Sequence, residues 1–479
     1  MPGGDPQPQA GGARTRREIR AERMAVGRRT AVLDDDPTGS QSVHSVSVVT
    51  SFDKAACEAA LSDPGSVCFV LTNTRSLPEA EAAGMNRSIG AELFEIERNT
   101  GAPLDIVSRS DSTLRGHVIA EAETLNEARR TVLGRGFDAI LLVPSYFEAG
   151  RFTAGDVHYA WVGGRAVGVG ETEFAADATF GYRSSNLRDF IEEKSNGRIP
   201  ADRVASLSLD DIRSGGADRV ARLLGHTGGG EFVVVNATDY ADLETVVRGV
   251  QRAEADGKAF LHRSGPSFVR ALAGIDPVPE LSSADIWAAR AAGGADARGH
   301  GLVVVGSHVA QTDRQIARAR ERCTVVEIEL PVGRLLTGSS LRAEVIAETA
   351  RRVAGALPGA DVLLYTSRGR VEGADPAGSL AIARTISDAL VQVVRSVRRA
   401  RPGWVIAKGG ITSHDIAVQA LGIRRATVLG QLFPGMVSVL VPEAAPPDVI
   451  GVPYVVFAGN VGDENALADA MDLLRPNAH

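Results

Sequence analysis

Lys408 opens the segment Lys408-Gly409-Gly410-Ile411-Thr412-Ser413-His414-Asp415, between an apolar run, Trp404-Val405-Ile406-Ala407, and a helix-period stretch at 416–421. That pattern predicts a strand, a glycine turn and a helix start. Paired glycines let the backbone approach a ligand closely. The unpaired N–H groups and positive end of a helix favour an anion, most often a phosphate. The lysine adds a point charge. Of 52 basic residues only Lys54, Lys194, Lys258 and Lys408 are lysines, so a lysine beside a Gly-Gly turn stands out. Taken alone, the segment fits an ordinary strand–helix turn with a surface lysine better than a ligand site.

Two more glycine turns follow apolar runs in the same half: Gly306-Ser307-His308 and Gly459-Asn460-Val461-Gly462-Asp463. Three turns on the strand-to-helix side of one parallel sheet converge on one edge, where such sheets bind ligands. Neither GxxxxGK[ST] nor GxGxxG is present, so neither a Walker loop nor a Rossmann-type NAD or FAD site is indicated. Plain tight turns remain the alternative.

The first half carries different chemistry. Asp34-Asp35-Asp36-Pro37-Thr38-Gly39-Ser40-Gln41 follows the first apolar run directly. Three carboxylates at one strand end repel, raise one another's pKa and need a cation or donors nearby. They could hold Mg²⁺ or supply a general base; a solvated acidic turn is the alternative. Ser108-Arg109-Ser110-Asp111-Ser112-Thr113-Leu114-Arg115-Gly116-His117 offers Asp111 and Ser112 for sugar hydroxyls and Arg115 for a carboxylate. Gly150-Arg151-Phe152-Thr153 offers a second arginine clamp. An N-cap and exposed arginines would explain the same residues structurally. Hydroxyl acceptors and carboxylates in one half, with phosphate turns in the other, are the two parts that phosphoryl transfer requires.

The elements that must position these groups follow from the pattern. A chain of 479 residues exceeds what one core organises, so two domains are expected. Apolar runs at 30–33, 45–50, 67–71, 104–107, 139–144, 233–236 and 258–261 alternate with helical stretches such as 77–98 and 118–133. After an Ala/Gly/Pro-rich stretch the scheme restarts, with strands at 301–305, 324–329, 361–365, 426–429, 437–441 and 454–457, and a long helix over 379–398. The reading is α/β: two doubly wound, mainly parallel-sheet domains facing each other across a cleft. Residues 1–29 form a disordered tail with a short helix over 14–24, residues 30–275 the first domain, 276–300 a linker with a helical piece near Trp287, and 301–479 the second domain. A net charge of −7 argues against nucleic acid as a partner. No apolar run reaches the length of a membrane span, and three scattered cysteines give neither a disulfide framework nor a zinc cluster. A cytoplasmic protein, with self-association left open, is expected.

In this order the motifs resemble those of the four-carbon acid sugar kinase family. Its sugar-acid domain carries DDxTG, [KR]xDSTLRG and GRxT, here Asp35 to Gly39, Arg109 to Gly116 and Gly150 to Thr153. Its nucleotide domain carries a GS turn with a T…Q helix, KGG-x-T and PGN-x-G, here Gly306-Ser307 with Thr312 and Gln315, Lys408 to Thr412, and Gly459 to Gly462. The likeness spans about residues 30–475. It implies an ATP-dependent kinase acting on the terminal hydroxyl of threonate, erythronate or a 3-oxo relative. Ser307, Gly409, Gly410, Ile411, Thr412, Gly459, Asn460 and Gly462 would then line ATP, with Lys408 on a phosphate. Asp35, Asp36, Asp111, Ser112, Arg115 and Arg151 would line the acid. Asp36 is expected as the base, with Asp35 orienting it or the Mg²⁺; the metal ligands stay unassigned and Asp111 is the runner-up base. Departures are His308-Val309 for Cys-Ser, His117 for Asn and Ala458 for Pro. A nucleotide-independent Mg²⁺ lyase or isomerase, and a non-catalytic nucleotide sensor, are the competing readings.

Overall fold

The computed structural model describes residues 12–36, 39–294, 299–369, 371 and 376–475. The chain divides into two compact units, one running to Val46 and from Phe52 to Val278, the other from Ser47 to Ser51 and from Pro279 onward.

In the first unit seven parallel strands lie in the order Val67–Leu71, Arg29–Asp34, Leu104–Arg109, Phe260–Ser264, Ala139–Val143, Glu231–Val235 and Ala205–Leu207. Their side chains are buried on both faces, which is why they read as unbroken apolar runs rather than alternating ones. Helices Glu79–Thr100, Val118–Leu133 and Tyr240–Ala255 make the crossovers. Parallel connection puts the C-terminal ends of Arg29–Asp34 and Leu104–Arg109 side by side, with Asp34 in register with Arg109. A feature absent from the expected scheme comes after Ala139–Val143. It is an antiparallel three-stranded meander, Arg151–Ala154, Val157–Val162 and Arg165–Gly168, then two 3₁₀ turns, Val169–Glu171 and Glu173–Ala176.

The second unit orders its strands Val325–Leu330, Asp361–Thr366, Leu302–Val305, Val405–Lys408, Tyr454–Phe457, Met436–Ala444 and Arg425–Phe433. The first five are parallel and the last two antiparallel. Its core packs Trp404, Ile406, Phe457, Leu467 and Met471 together. The doubly wound α/β class therefore holds for both units, with antiparallel strands appended to the second. Among the described residues no helix is long and apolar enough to cross a membrane.

Three expectations change. Residues from 12 onward are not a disordered tail: the short helix expected over 14–24 is present as Ala13–Ala25, but it packs on the first unit with Ile19 fully buried. Arg23 Nη1 meets Asp105 Oδ2 at 2.6 Å and Arg28 Nη1 meets Asp105 Oδ1 at 2.6 Å. Arg16 Nε reaches Asp276 at 2.7 Å. Two of the helix's arginines pair with buried carboxylates, Arg16 with Glu244 and Arg23 with Asp105, a pattern indistinguishable in sequence from a solvated basic tail. The segment read as a linker contains the helix Ser283–Ala292, started by a Ser282–Asp285 capping box, with Ile286 in the second unit's core. The strand Val46–Val49, expected in the first domain, runs into a segment of the second unit, where the Thr50 N–H donates to the Arg424 carbonyl. Residues 1–11 of the expected tail and 295–298 of the expected linker lie outside the described residues.

Both Arg23 and Asp105 have side chains only 2% exposed. Removing one member of a buried ion pair strands the other, so Arg23→Ala is expected to lower stability by about 3 kcal/mol in urea denaturation. A loss below about 1 kcal/mol would mean that Arg28 alone satisfies Asp105.

Candidate active site

The first unit gathers its chemistry at adjacent strand ends. Asp34 ends its strand fully buried; its Oδ1 accepts from Arg109 Nη1 at 3.1 Å and from the Asp36 N–H at 3.1 Å. Burial pushes its pKa up to about 7 against the pull of Arg109. A Cβ on Gly39 would lie 1.6 Å from Asp34 Oδ2, so only glycine fits there. Pro37 and Thr38 of the same motif lie outside the described residues.

Asp35 and Asp36 share one guanidinium. Arg75 Nη2 binds Asp35 Oδ1, and Arg75 Nη1 binds Asp36 Oδ2 at 2.9 Å. Ser110 Oγ donates to Asp35 Oδ2 at 2.9 Å. Burial raises the Asp35 pKa, with Arg75 opposing. The Asp36 side chain is 27% exposed against 3% for Asp35, which makes Asp36 the reachable carboxylate of the pair. Beneath them Arg263, 1% exposed, binds Glu121, Ser108 Oγ at 2.6 Å and Ser110 Oγ at 2.8 Å.

Asp111 receives Arg115 Nε at 2.7 Å and the Thr113 hydroxyl. Burial alone would raise its pKa, but Arg75 and Arg115 hold it well below the usual carboxylate range. Arg151 Nη1 donates to Ser112 Oγ at 2.8 Å. The structure thus brings Asp35, Asp36 and Ser110 together around Arg75, and Asp111, Ser112, Arg115 and Arg151 into a second cluster that Arg75 also influences.

In the second unit the three glycine turns interlock, because Leu302–Val305, Val405–Lys408 and Tyr454–Phe457 are consecutive parallel neighbours. A Cβ on Gly306 would strike Thr412 Oγ1 at 2.2 Å, and one on Gly459 would strike Ser307 Oγ at 2.5 Å. Thr312 Oγ1 lies 3.1 Å from Ser307 Oγ and 3.0 Å from the Gly459 carbonyl. Gln315 Nε2 donates to the carbonyls of Val461 and Asp463 at 2.9 and 2.7 Å, and Gln311 Nε2 to that of Gly462 at 2.9 Å. Ile411 and Asn460 face solvent, while Thr412 is nearly buried. The helix after Gly409 is short, Gly410–Asp415, and continues as a π turn over Ile416–Ala420.

Lys408 is not the surface lysine of the alternative reading, nor is it open to solvent at the turn. It is fully buried, with Nζ donating to the Ala458 carbonyl at 2.7 Å and lying 3.7 Å from the Phe457 ring centroid. Desolvation lowers its pKa to about 7.

Arg75, Arg263 and Glu121 escaped the sequence reading. Arg75 lies just beyond the strand Val67–Leu71, so the loop after every strand, and not only after those with polar-rich ends, is a place to look for site residues. Glu121 and Arg263 lie within regular elements and carry no such signal.

A cluster of Asp105, Glu254 and His262 has metal-ligand spacing, with no ion shown. Both Asp105 oxygens already bind guanidiniums, and Arg28 also meets Glu254 at 3.1 Å. Two cations occupy the place of a third, so this donor set does not suit Mg²⁺.

Residues 30–272 match the model of a sugar-binding N-terminal domain, and residues 302–467 that of a nucleotide-binding C-terminal domain. No curated protein matches the chain in sequence. Among solved structures it resembles a Salmonella typhimurium LT2 protein provisionally described as a tRNA synthase, at 16% identity and TM-score 0.67, over 93% of this chain and 98% of that one. It also resembles Haemophilus influenzae protein HI1011, a DUF1537 member, at 17% identity and TM-score 0.61, over 93% of this chain and all of that one. These two likenesses show the shared fold. With sugar-binding and nucleotide-binding domain models matched in succession over most of its length, the chain belongs to the family of four-carbon acid sugar kinases.

Proposed function

We propose that the protein transfers the terminal phosphoryl group of ATP to the C4 hydroxyl of a four-carbon sugar acid such as threonate, erythronate or a 3-oxo-tetronate. The observation that carries this reading is the Asp35–Arg75–Asp36 cluster, with Arg115 and Arg151 nearby, in a chain whose other unit holds three interlocked glycine turns. Asp36 accepts the proton of the C4 hydroxyl as its oxygen attacks the terminal phosphorus, and ADP leaves. Arg75 holds both carboxylates in place. Asp111, held strongly acidic by its arginines, is a poor proton acceptor at neutral pH and suits hydroxyl positioning instead. Arg115 and Arg151 hold the acid's carboxylate.

Ser307, Gly409, Gly410, Ile411, Thr412, Gly459, Asn460 and Gly462 surround the phosphates in this reading. Lys408 acts from beneath the turns as a buried charge, through the low-dielectric interior rather than by contact. Mg²⁺ supplies charge neutralisation on the phosphates. The carboxylates of the first unit are already countered by Arg75 and Arg109, so the ion is expected to arrive with the nucleotide rather than reside in the protein.

ADP release should appear with at least one four-carbon acid in a coupled assay. Asp36→Ala should lower kcat by about 100-fold or more, while Asp111→Ala acts mainly on the KM of the acid. Turnover of a sugar acid without ATP would favour the lyase or isomerase reading, and ATP binding without ADP release on any such acid the sensor reading.

Gly39→Ala must displace the Asp34 carboxylate. Turnover is expected to fall about 100-fold with ATP affinity retained, which kinetics and calorimetry together would read.

At pH 8 Lys408, with a pKa near 7, is mostly neutral in the free protein. A bound triphosphate would raise that pKa, so ATP binding should take up about one proton. Calorimetry in buffers of different ionisation enthalpy measures this. The uptake should vanish in Lys408→Met, and an unchanged uptake there would end the lysine's assigned role.

A further inference from the structure

The segment from Arg151 to Tyr182 forms a collar around Asp111-Ser112-Thr113-Leu114-Arg115. Arg151 Nη1 holds Ser112 Oγ at 2.8 Å, His158 Nε2 lies 2.8 Å from the Ser112 carbonyl, and the Tyr182 hydroxyl donates to the Thr113 carbonyl at 2.6 Å. These contacts hold Leu114 at a φ of +69°, which an unsupported leucine avoids. Within the collar, the Phe174 ring centroid lies 5.4 Å from Arg115 Cζ and 5.5 Å from Arg151 Cζ. One aromatic ring therefore serves two guanidiniums at cation–π range.

The ring is held on a built turn. The Tyr182 N–H donates to the Ala175 carbonyl at 3.1 Å, and Asp177 Oδ1 accepts from the N–H groups of Thr179 and Phe180 at 2.8 and 2.9 Å. Arg115 spends Nε on Asp111 and lies 3.8 Å from Asp177 through Nη1. Arg151 spends Nη1 on Ser112. Among the described residues Nη2 of each arginine makes no hydrogen bond. Two guanidiniums against one ring, each keeping an unused donor beyond the carboxylates that Arg115 already meets, can take an anion; the negative face of the ring offsets part of their charge until one arrives.

We propose that Phe174 is a positioning residue for the acid substrate: its ring aligns Arg115 and Arg151 so that their unused N–H groups take one terminal carboxylate as a pair. This rests on the sugar-acid reading of the loop. Guanidiniums already aligned lose little freedom on binding, and the gain goes to a charged carboxylate rather than to a neutral sugar, lactone or amide.

The test is calorimetry on the full chain with threonate and erythronate and with their neutral primary amides, with and without a non-hydrolysable ATP analogue. Phe174→Leu keeps apolar bulk without the ring's charge distribution, and Phe174→Tyr keeps the ring. The preference for acid over amide is expected to fall about 3–30-fold in Phe174→Leu, to fall at least as far in Phe174→Ala, and to survive in Phe174→Tyr, with affinity for the ATP analogue unchanged in all three. An undiminished preference in both Phe174→Leu and Phe174→Ala overturns the inference. Wild-type protein that binds the analogue but neither acid overturns the sugar-acid reading itself, and this inference with it.

Discussion

Arg263 is the constraint on which the first unit's site depends. A guanidinium 1% exposed on a central strand is tolerable only when its charge is countered, and Arg263 binds Glu121, Ser108 and Ser110 through its two Nη atoms, while Nε has no partner among the described residues. Each partner passes the constraint outward. Ser110 donates to Asp35, and Glu121 accepts from Thr74 at 2.6 Å, one residue before Arg75. Asp35 and Asp36 are thus fixed from two directions by one buried charge. A Cβ on Gly116 would lie 3.3 Å from an Arg263 Nη atom, so even the turn after Arg115 is shaped around it.

The two units solve the problem of holding a ligand differently. The first uses charge, with guanidiniums and carboxylates paired at strand ends, from the buried Arg109–Asp34 pair out to the partly exposed Arg75–Asp36 pair. The second uses backbone, with three turns packed so closely that side-chain atoms of Ser307 and Thr412 fill the space a Cβ would need. Its one buried cation among the described residues of those turns, Lys408, is held by a carbonyl and an aromatic face rather than by a carboxylate. A cation without a counter-charge is poised toward an incoming anion in a way that a paired one is not.

Much of this was legible in the chain. Parallel strands announced themselves as apolar runs, and the polar motifs directly after them had to lie at one sheet edge, as Asp34 beside Arg109 and Gly306 beside Gly409 show. What stayed hidden depends on tertiary pairing. Arg75 looks like any loop arginine until Asp35 and Asp36 are seen across from it. The basic stretch 14–28 has the composition of a solvated tail, and only the buried carboxylates Asp105 and Glu244 make it structural. The meander from Arg151 to Gly168 is short and half-exposed, so its alternation was too weak to read, yet it carries the His158 contact to the DSTLR loop.

The helix Ala13–Ala25 lies wholly before residue 30, where the match to the sugar-binding domain model begins. Asp105 lies within that match and has Arg23 and Arg28 as its counter-charges. A fragment cut at the family boundary would leave a fully buried carboxylate at the base of the strand that ends in Arg109, with neither cation. Residues before the recognisable domain thus supply the counter-charges of a carboxylate buried within it. An attachment or cleavage near its beginning would be felt along that strand, at the far end of which Arg109 steadies Asp34.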